Sequence, residues 1–306
     1  MQHRPPLARI AAGLYRRHQL ALWLLLGPPM LWLGVVYLGS LLSMVWQSAY
    51  GFDDFSMQVV PELTLANYRA LLDGSNLDIV LRTLGMAVAV TLGCAALAFP
   101  IAYYIARHTS GTLKSALYAS VMLPMWVSYI VKAYAWTLIL AQGGLVYWAS
   151  DALGLRGALE ALLELPVIGG SSLSTSNLGR WFVFVYVWLP YMILPVYAAI
   201  ERVPENLLQA SADLGARPAQ TFRSVILPLT FPGVAAGSIF TFSLTLGDYI
   251  IPQLIGPSGY YVGTMVNTLH GSVGNLPMAA AFTVVPIVII GLYLALARRF
   301  GAFDAL

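Results

Sequence analysis

Six long apolar runs constrain the fold of this chain more than any other feature. Each run holds about 20 residues or more, the length that an α-helix needs to cross the hydrocarbon core of a membrane. A bilayer offers no water to free backbone groups, so runs of this length predict membrane-spanning helices. The runs, which we number as spans one to six, are approximately Leu20–Trp46, Ile79–Ala106, Ser115–Leu140, Trp181–Ile200, Phe231–Ile255 and Pro277–Ala297.

The charge content excludes a soluble protein. Only 9% of the 306 residues are charged, whereas a soluble domain carries about 25%. The single cysteine, Cys94, and the four scattered histidines offer neither an internal disulfide nor a metal site. We therefore predict an all-α integral membrane protein that forms one transmembrane domain over residues 1–306, in contact with lipid and without a metal.

The positions of lysine and arginine predict the orientation of the spans. Basic residues are concentrated in the N-terminal segment 1–19, in the second and fourth connections and at the C-terminal end. Basic connections remain on the cytoplasmic side, so we expect both termini and the segment 201–230 to be cytoplasmic. The outer connection 142–180 is long, and its part Leu153–Leu165 predicts a short interfacial helix.

The cytoplasmic segment 201–230 has the pattern of two helices joined at a glycine. Pro204 and Glu205 suit a first turn, Gly215 suits a left-handed cap, and Pro218 suits a second start. A short amphipathic helix of this kind fits the groove of a soluble partner, while a loop that merely caps the bundle is the alternative. Arg217 and Arg223, the two arginines after the glycine, make a poor phosphate contact, so we expect no nucleic-acid partner.

The same segment resembles the EAA signature of bacterial ABC importer permeases. The signature has Glu-Ala-Ala, three residues, Gly, and then a spaced Ile-x-Leu-Pro. The matching residues here are Gln209-Ala210-Ser211-Ala212-Asp213-Leu214-Gly215 and Ile226-Leu227-Pro228. The sequence departs from the signature at Gln209 and Ser211, and its Leu-Pro pair lies one residue closer to the isoleucine.

The resemblance extends from about Asn67 to the C-terminus and is closest to the spermidine/putrescine-type permeases. Two further stretches are similar to the third and fifth spans of that family. They are Leu123-Pro124 with Tyr129-Ile130-Val131-Lys132-Ala133-Tyr134-Ala135-Trp136, and Leu246-Gly247-Asp248-Tyr249-Ile250-Ile251-Pro252.

The resemblance implies a MetI-like type I ABC importer permease in a bacterial inner membrane. Such a subunit works with a second homologous permease, two copies of an ATPase and a periplasmic substrate-binding protein. ATP and Mg would bind to the ATPase, and this chain, which has no Gly-Lys-Ser/Thr phosphate loop, would bind no cofactor. The expected coupling residues are Leu207, Gln209, Ala210, Ser211, Asp213, Leu214, Gly215 and Pro228.

Lys132 and Asp248 are the clearest ionisable residues inside the predicted spans, where burial of a charge is costly and favours a functional role. Lys132 and Asp248 each lie about 17 residues from the cytoplasmic start of a span, or roughly 25 Å if the helices are straight. They could therefore meet, either as a structural ion pair or in a translocation path. The residues predicted to line that path are Ser128, Lys132, Trp136, Thr241, Thr245, Asp248 and Tyr249.

Two other classes of protein compete with the importer permease. An ion-coupled secondary transporter needs paired broken helices in two halves, and a Gly-Pro-Pro in span one has no obvious counterpart in span four. A membrane enzyme needs a catalytic motif, but neither Gly-x-Ser-x-Gly nor His-Glu-x-x-His is present. We predict a transport subunit without enzymatic activity of its own.

Overall fold

The computed structural model describes residues 18–299 and consists mainly of helices. The predicted N-terminal segment 1–19 lies almost wholly outside these residues. Three π-helical turns, Leu33–Leu38, Phe222–Ile226 and Leu269–Val273, continue neighbouring helices. The α-helices are α1 His18–Trp32, α2 Gly39–Gln47, α3 Ala66–Leu71, α4 Gly74–His108, α5 Gly111–Trp126, α6 Tyr129–Ile139, α7 Leu145–Ala152, α8 Arg156–Leu163, α9 Asn177–Glu201, α10 Glu205–Asp213, α11 Pro218–Thr221, α12 Leu227–Gly247, α13 Ile250–Leu254, α14 Val262–Thr268 and α15 Leu276–Arg298.

Five of the predicted spans are found as helical stretches that are long and apolar enough to cross a membrane. They are Leu22–Gln47, Gly74–His108, Asn177–Glu201, Pro218–Gly247 and Leu276–Arg298. A sixth span is present if the bent pair α5 and α6 is one span.

The prediction of a continuous helix over Ser115–Leu140 is wrong. The axes of α5 and α6 differ by 94°, because Val127 and Ser128 between them adopt extended ψ angles of 138° and 134°. Span five also ends early, at Gly247 rather than Ile255, because Asp248 is extended with a ψ of 137°. Both departures lie inside apolar sequence, where hydropathy does not register a change of backbone direction.

Span four, formed by α9, is the centre of the packing. More than half of its apolar stretch is buried, and Phe184, Met192 and Ile200 have almost no exposed surface. It lies against α4 and α12, the helices of spans two and five. By contrast, no described residue of span one between Leu22 and Gln47 is buried.

Two glycines allow spans four and five to approach closely, as small residues do between membrane helices. A Cβ atom added to Gly233 would lie 2.4 Å from Ala199 Cβ and 2.7 Å from the backbone oxygen of Pro195. A Cβ atom added to Gly237 would lie 2.6 Å from Met192 Sδ. The Gly-x-x-x-Gly spacing in span five is therefore a contact surface for α9.

The all-α prediction omits a β-hairpin that follows span one. Strands β1 Tyr50–Asp53 and β2 Gln58–Leu63 pair antiparallel, with Asp53 opposite Gln58 at the turn. The Asn67 side chain donates to the backbone oxygens of Ser48 and Tyr50 at 2.9 and 2.8 Å, which fixes the base of the hairpin against α3.

The predicted short helix in the outer connection is confirmed as α8, Arg156–Leu163, within the predicted Leu153–Leu165. It follows α7, which ends at Gly154 with a left-handed φ of +68°. Arg156 pairs with Asp151 and Glu160 at 2.9 and 2.8 Å, which ties the two short helices together.

Replacement of Gly233 by alanine should destabilise the protein by about 1–3 kcal/mol, because the added methyl group meets backbone atoms of α9 that cannot rotate away. Thermal unfolding of the purified protein in detergent measures the loss. Gly291→Ala is the matched control, since a Cβ atom there meets nothing within 4 Å and alanine favours the helix. Equal unfolding temperatures for the two variants would contradict the close approach of spans four and five.

Candidate functional site

The segment 201–230 contains a short helix, α10, with large apolar side chains exposed to solvent. Within the described chain, none of its nine residues is buried. Leu207 is 42% exposed, and Leu214, which follows the last helical residue, is 89% exposed. Of the other expected coupling residues in and after α10, Ser211 is partly covered and Gln209, Ala210 and Asp213 are exposed. Large apolar side chains left open in this way are typical of an interaction surface.

Gly215 forms the predicted corner. Its φ is +78°, its N–H donates to Ala212 O at 2.8 Å, and the Ala216 N–H donates to Ser211 O at 3.1 Å. These two bonds are a Schellman motif, which satisfies the last carbonyls of a helix and favours glycine at the left-handed position. The helix begins at Glu205, with Pro204 as its cap, one residue later than predicted.

The second helix of the segment is continuous with span five, whereas the sequence predicted two short helices joined at a glycine. It begins at Pro218 as predicted, but continues through the π-helical turn Phe222–Ile226 into α12. Pro228 lies exposed in the first turn of α12. The Ser211 and Thr221 hydroxyls are 2.9 Å apart, so α10 is bonded directly to the start of span five.

Lys132 satisfies a backbone group that the break in span three sets free. In a continuous helix, Pro124 O would accept from the N–H of residue 128. Here Ser128 is extended, and Lys132 Nζ donates to Pro124 O at 2.8 Å. Away from water, the break would otherwise leave that carbonyl without a partner.

Asp248 has the same role at the end of span five. Its Oδ1 accepts from the Ile251 N–H at 3.0 Å, at the start of α13. Its Oδ2 accepts a hydrogen bond from the Tyr129 hydroxyl, at the start of α6. The Asp248 carboxylate therefore joins the breaks of spans three and five.

Lys132 and Asp248 do not form the ion pair that was one of the expectations. The ion pairs within residues 18–299 involve Arg82, Lys114 and Arg156 as cations. The expectation that Lys132 and Asp248 lie at the same height along their spans assumed straight helices. Because span three bends after α5, this assumption does not hold for Lys132.

The other residues that were predicted to line a translocation path lie in three different settings. Ser128 is exposed and Tyr249 is 42% exposed at the level of the breaks, while Trp136 packs edge-on against Tyr186 at 5.1 Å. Thr241 and Thr245 are buried inside the subunit. The Thr241 hydroxyl bonds to Gly237 O and Ser238 O and approaches the Thr91 hydroxyl of α4 at 3.5 Å.

Sequence reasoning missed Arg180, which it treated only as an outer basic residue. Arg180 is 1% exposed, and its guanidinium donates to Ile255 O, Pro257 O and Asn177 Oδ1 at 2.7, 3.0 and 3.1 Å. It also lies 4.4 Å from the centre of the Tyr261 ring. Arg180 thus fixes the connection between spans five and six. In the sequence, the only indication of this role is that a single arginine stands at the start of an apolar run.

A helical domain with several candidate membrane spans, breaks in spans three and five and a glycine-cornered helix has the layout expected of an importer permease. The family described as "binding-protein-dependent transport system inner membrane component" matches residues 98–302. The chain belongs to this family.

Relatives cover nearly the whole chain. It is 62% identical, over 99% of its length and 97% of the relative's, to the inner membrane ABC transporter permease protein YdcU of Escherichia coli K12. It is 27% identical to the spermidine/putrescine transport system permease protein PotB of Salmonella typhimurium LT2, over 77% of this chain and 78% of that protein.

Solved structures share the fold. A bacterial ABC transporter that imports the acidic polysaccharide alginate matches with a TM-score of 0.68 and 19% identity, over 95% of this chain and 99% of that one. The MetNI methionine ABC transporter in an inward-facing conformation matches with a TM-score of 0.53 and 17% identity, over 79% and 99%. The fold is therefore the MetI-like ABC permease fold.

The family decides between the competing classes. Its members are membrane permease subunits, which are not enzymes themselves. An ion-coupled secondary transporter is not favoured, because the relatives and the structural neighbours are ABC transporter components.

Proposed function

We propose that this ABC importer permease subunit imports a small organic cation of the polyamine class. We also propose that α10 couples ATP hydrolysis by a separate ATPase to conformational change in this subunit. The ATPase would hold ATP and Mg, and an external binding protein would deliver the solute. We further propose six spans with both termini cytoplasmic, and a second homologous permease subunit that completes the path.

The exposed leucines of α10 carry the coupling proposal. Leu207 in the short helix α10 and Leu214 in its C-terminal cap are open to solvent, and α10 is bonded to span five. A short amphipathic helix of this kind fits an apolar groove on a soluble protein. Gln209 replaces the glutamate of the EAA signature, so the docking would depend on shape and apolar contact more than on a carboxylate at that position.

The surroundings of Asp248 support a cationic solute. Its carboxylate bonds to Tyr129, whose ring stacks on Trp188 at 5.6 Å, and Trp188 lies 5.8 Å from the Tyr191 ring. Aromatic faces and a carboxylate attract ammonium groups. The buried Trp188 indole N–H has no acceptor among the described residues. The spermidine/putrescine permeases among the relatives support the same class of solute.

We propose that the path passes the level at which spans three and five break. Ser128, Asp248 and Tyr249 would face it, with Lys132 and Trp136 beside them on α6. Thr241 and Thr245 would join it only when α4 moves away from α12, because Thr241 now packs toward Thr91.

Replacement of Gly215 by proline should abolish the stimulation of ATP hydrolysis by the loaded binding protein. Proline cannot adopt the φ of +78° and removes the N–H that donates to Ala212 O. Membrane insertion should be intact, since the change lies outside the spans. ATPase assays on the reconstituted complex measure the effect.

Gly154→Pro is the matched control for this experiment. Gly154 ends α7 with the same pair of hydrogen bonds, from Gly154 N to Asp151 O and from Leu155 N to Ser150 O, on the opposite side of the membrane. We expect it to retain stimulated hydrolysis. Full stimulation in a correctly assembled Gly215→Pro complex would refute the coupling proposal.

Asp248→Asn should reduce polyamine uptake about tenfold or more, because it removes the charge while both contacts can be kept: the amide oxygen can accept from the Ile251 N–H and the amide NH2 can donate to the Tyr129 hydroxyl. Lys132→Ala should also reduce uptake. Uptake of labelled putrescine and spermidine into vesicles provides the measurement, with Asp54→Asn, an exposed acid of the hairpin turn, as the control. Normal transport by folded and assembled Asp248→Asn and Lys132→Ala variants would eliminate the path assignment.

A further inference from the structure

We infer that Arg107, in the last turn of α4, is a positioning residue that fastens the entry of α10 to the transmembrane core. Movement of α10 then reaches spans two and four together with span five. The inference rests on the proposed docking of α10 to an ATPase, and it identifies the joint through which that docking acts.

The guanidinium of Arg107 binds the backbone at the point where span four gives way to α10. Its Nη2 donates to Ile200 O at 2.8 Å and to Val203 O at 2.5 Å. Ile200 lies in the last turn of α9, and Val203 directly precedes Pro204, the cap of α10. The last carbonyls of a helix lack partners within the helix and carry partial negative charge, so a cation binds them well.

The far end of α10 is held against the same helix. Ser211 in α10 bonds to Thr221, and the next residue, Phe222, packs edge-on against Phe99 and Tyr103 at 5.5 and 6.4 Å. Phe99, Tyr103 and Arg107 follow at four-residue intervals, which places them along one face of α4. Both ends of α10 therefore connect to one stripe on the cytoplasmic end of span two.

A second contact adds span three to the same joint. Lys114 Nζ in α5 lies 2.7 Å from Glu201 Oε1, and the Tyr197 hydroxyl donates to the same oxygen at 2.8 Å. The Lys114 and Glu201 side chains are 28% and 45% exposed, and exposed ion pairs contribute little. Arg107 is half-buried and binds two backbone groups, so we assign the main fastening to it.

The contacts of Arg107 change which helices would move when the ATPase displaces α10. Without Arg107, a push on α10 would pass mainly to α12, through Thr221 and Phe222. With Arg107 in place, the push also moves the ends of α4 and α9, the two helices that pack around α12. Loss of Arg107 should therefore separate ATP hydrolysis from transport while the complex remains assembled.

The test compares Arg107→Gln with Arg202→Gln in the reconstituted complex, with the number of labelled putrescine or spermidine molecules imported per ATP hydrolysed as the readout. Arg202 is exposed two residues after Ile200 and is a matched change of charge. We expect the ratio to fall about tenfold for Arg107→Gln, because its hydrogen bonds to the backbone are charge-assisted, and to be unchanged for Arg202→Gln. Arg107→Lys should fall only about two- to threefold, since lysine keeps the charge without the planar fork.

A wild-type ratio in the Arg107→Gln complex would overturn the inference. If that variant does not assemble, Arg107→Lys decides: a reduced ratio supports the joint and an unchanged ratio overturns it. Failure of the proposed function looks different, since Gly215→Pro would then also retain stimulated hydrolysis. Loss of stimulation in Gly215→Pro together with a normal ratio in Arg107→Gln would leave α10 as the coupling element and remove Arg107 from it.

Discussion

A helix that breaks inside a hydrocarbon layer must find protein partners for the backbone groups that the break sets free. This chain meets the constraint twice, after Trp126 in span three and after Gly247 in span five. Lys132 satisfies Pro124 O at the first break, and Asp248 satisfies the Ile251 N–H at the second. Lys132 and Asp248 therefore satisfy backbone groups at the two breaks, and these hydrogen bonds offset part of the cost of burying ionisable side chains.

The interior of this protein combines a close-packed helix interface with polar contacts at the breaks. Close-packed helices hold the centre, where Gly233 and Gly237 allow span five to approach span four. Where the helices break, Tyr129 and Asp248 join spans three and five by a polar contact. A contact between side chains can open and close with far less rearrangement than a packed helix face. The proposed path therefore runs beside the polar contact and not through the glycine interface.

The sequence predicts the apolar runs, the helix corner at Gly215 and the protein family, but it does not predict the geometry of the breaks in spans three and five. Hydropathy located the apolar runs because the bilayer requires length and composition only, and Gly215 was predictable because few residues tolerate a left-handed cap. The bend at Val127 and Ser128 was not predictable, since an apolar residue and a serine are equally compatible with a continuous helix. The burial of Arg180 depends on carbonyls of the connection between spans five and six, which are 75 and 77 residues further along the chain.

The claim that α10 docks on a cytoplasmic ATPase is tested most directly by the accessibility of Leu214. Cys94, the single cysteine, is buried and can be replaced by alanine, so that Leu214→Cys and Leu153→Cys each report one site. The two leucines, 89% and 71% exposed, precede Gly215 and Gly154 in equivalent helix caps. We predict that the assembled ATPase protects residue 214 from a maleimide reagent and leaves residue 153 reactive from the outer side. Equal labelling of residue 214 with and without the bound ATPase would contradict the account.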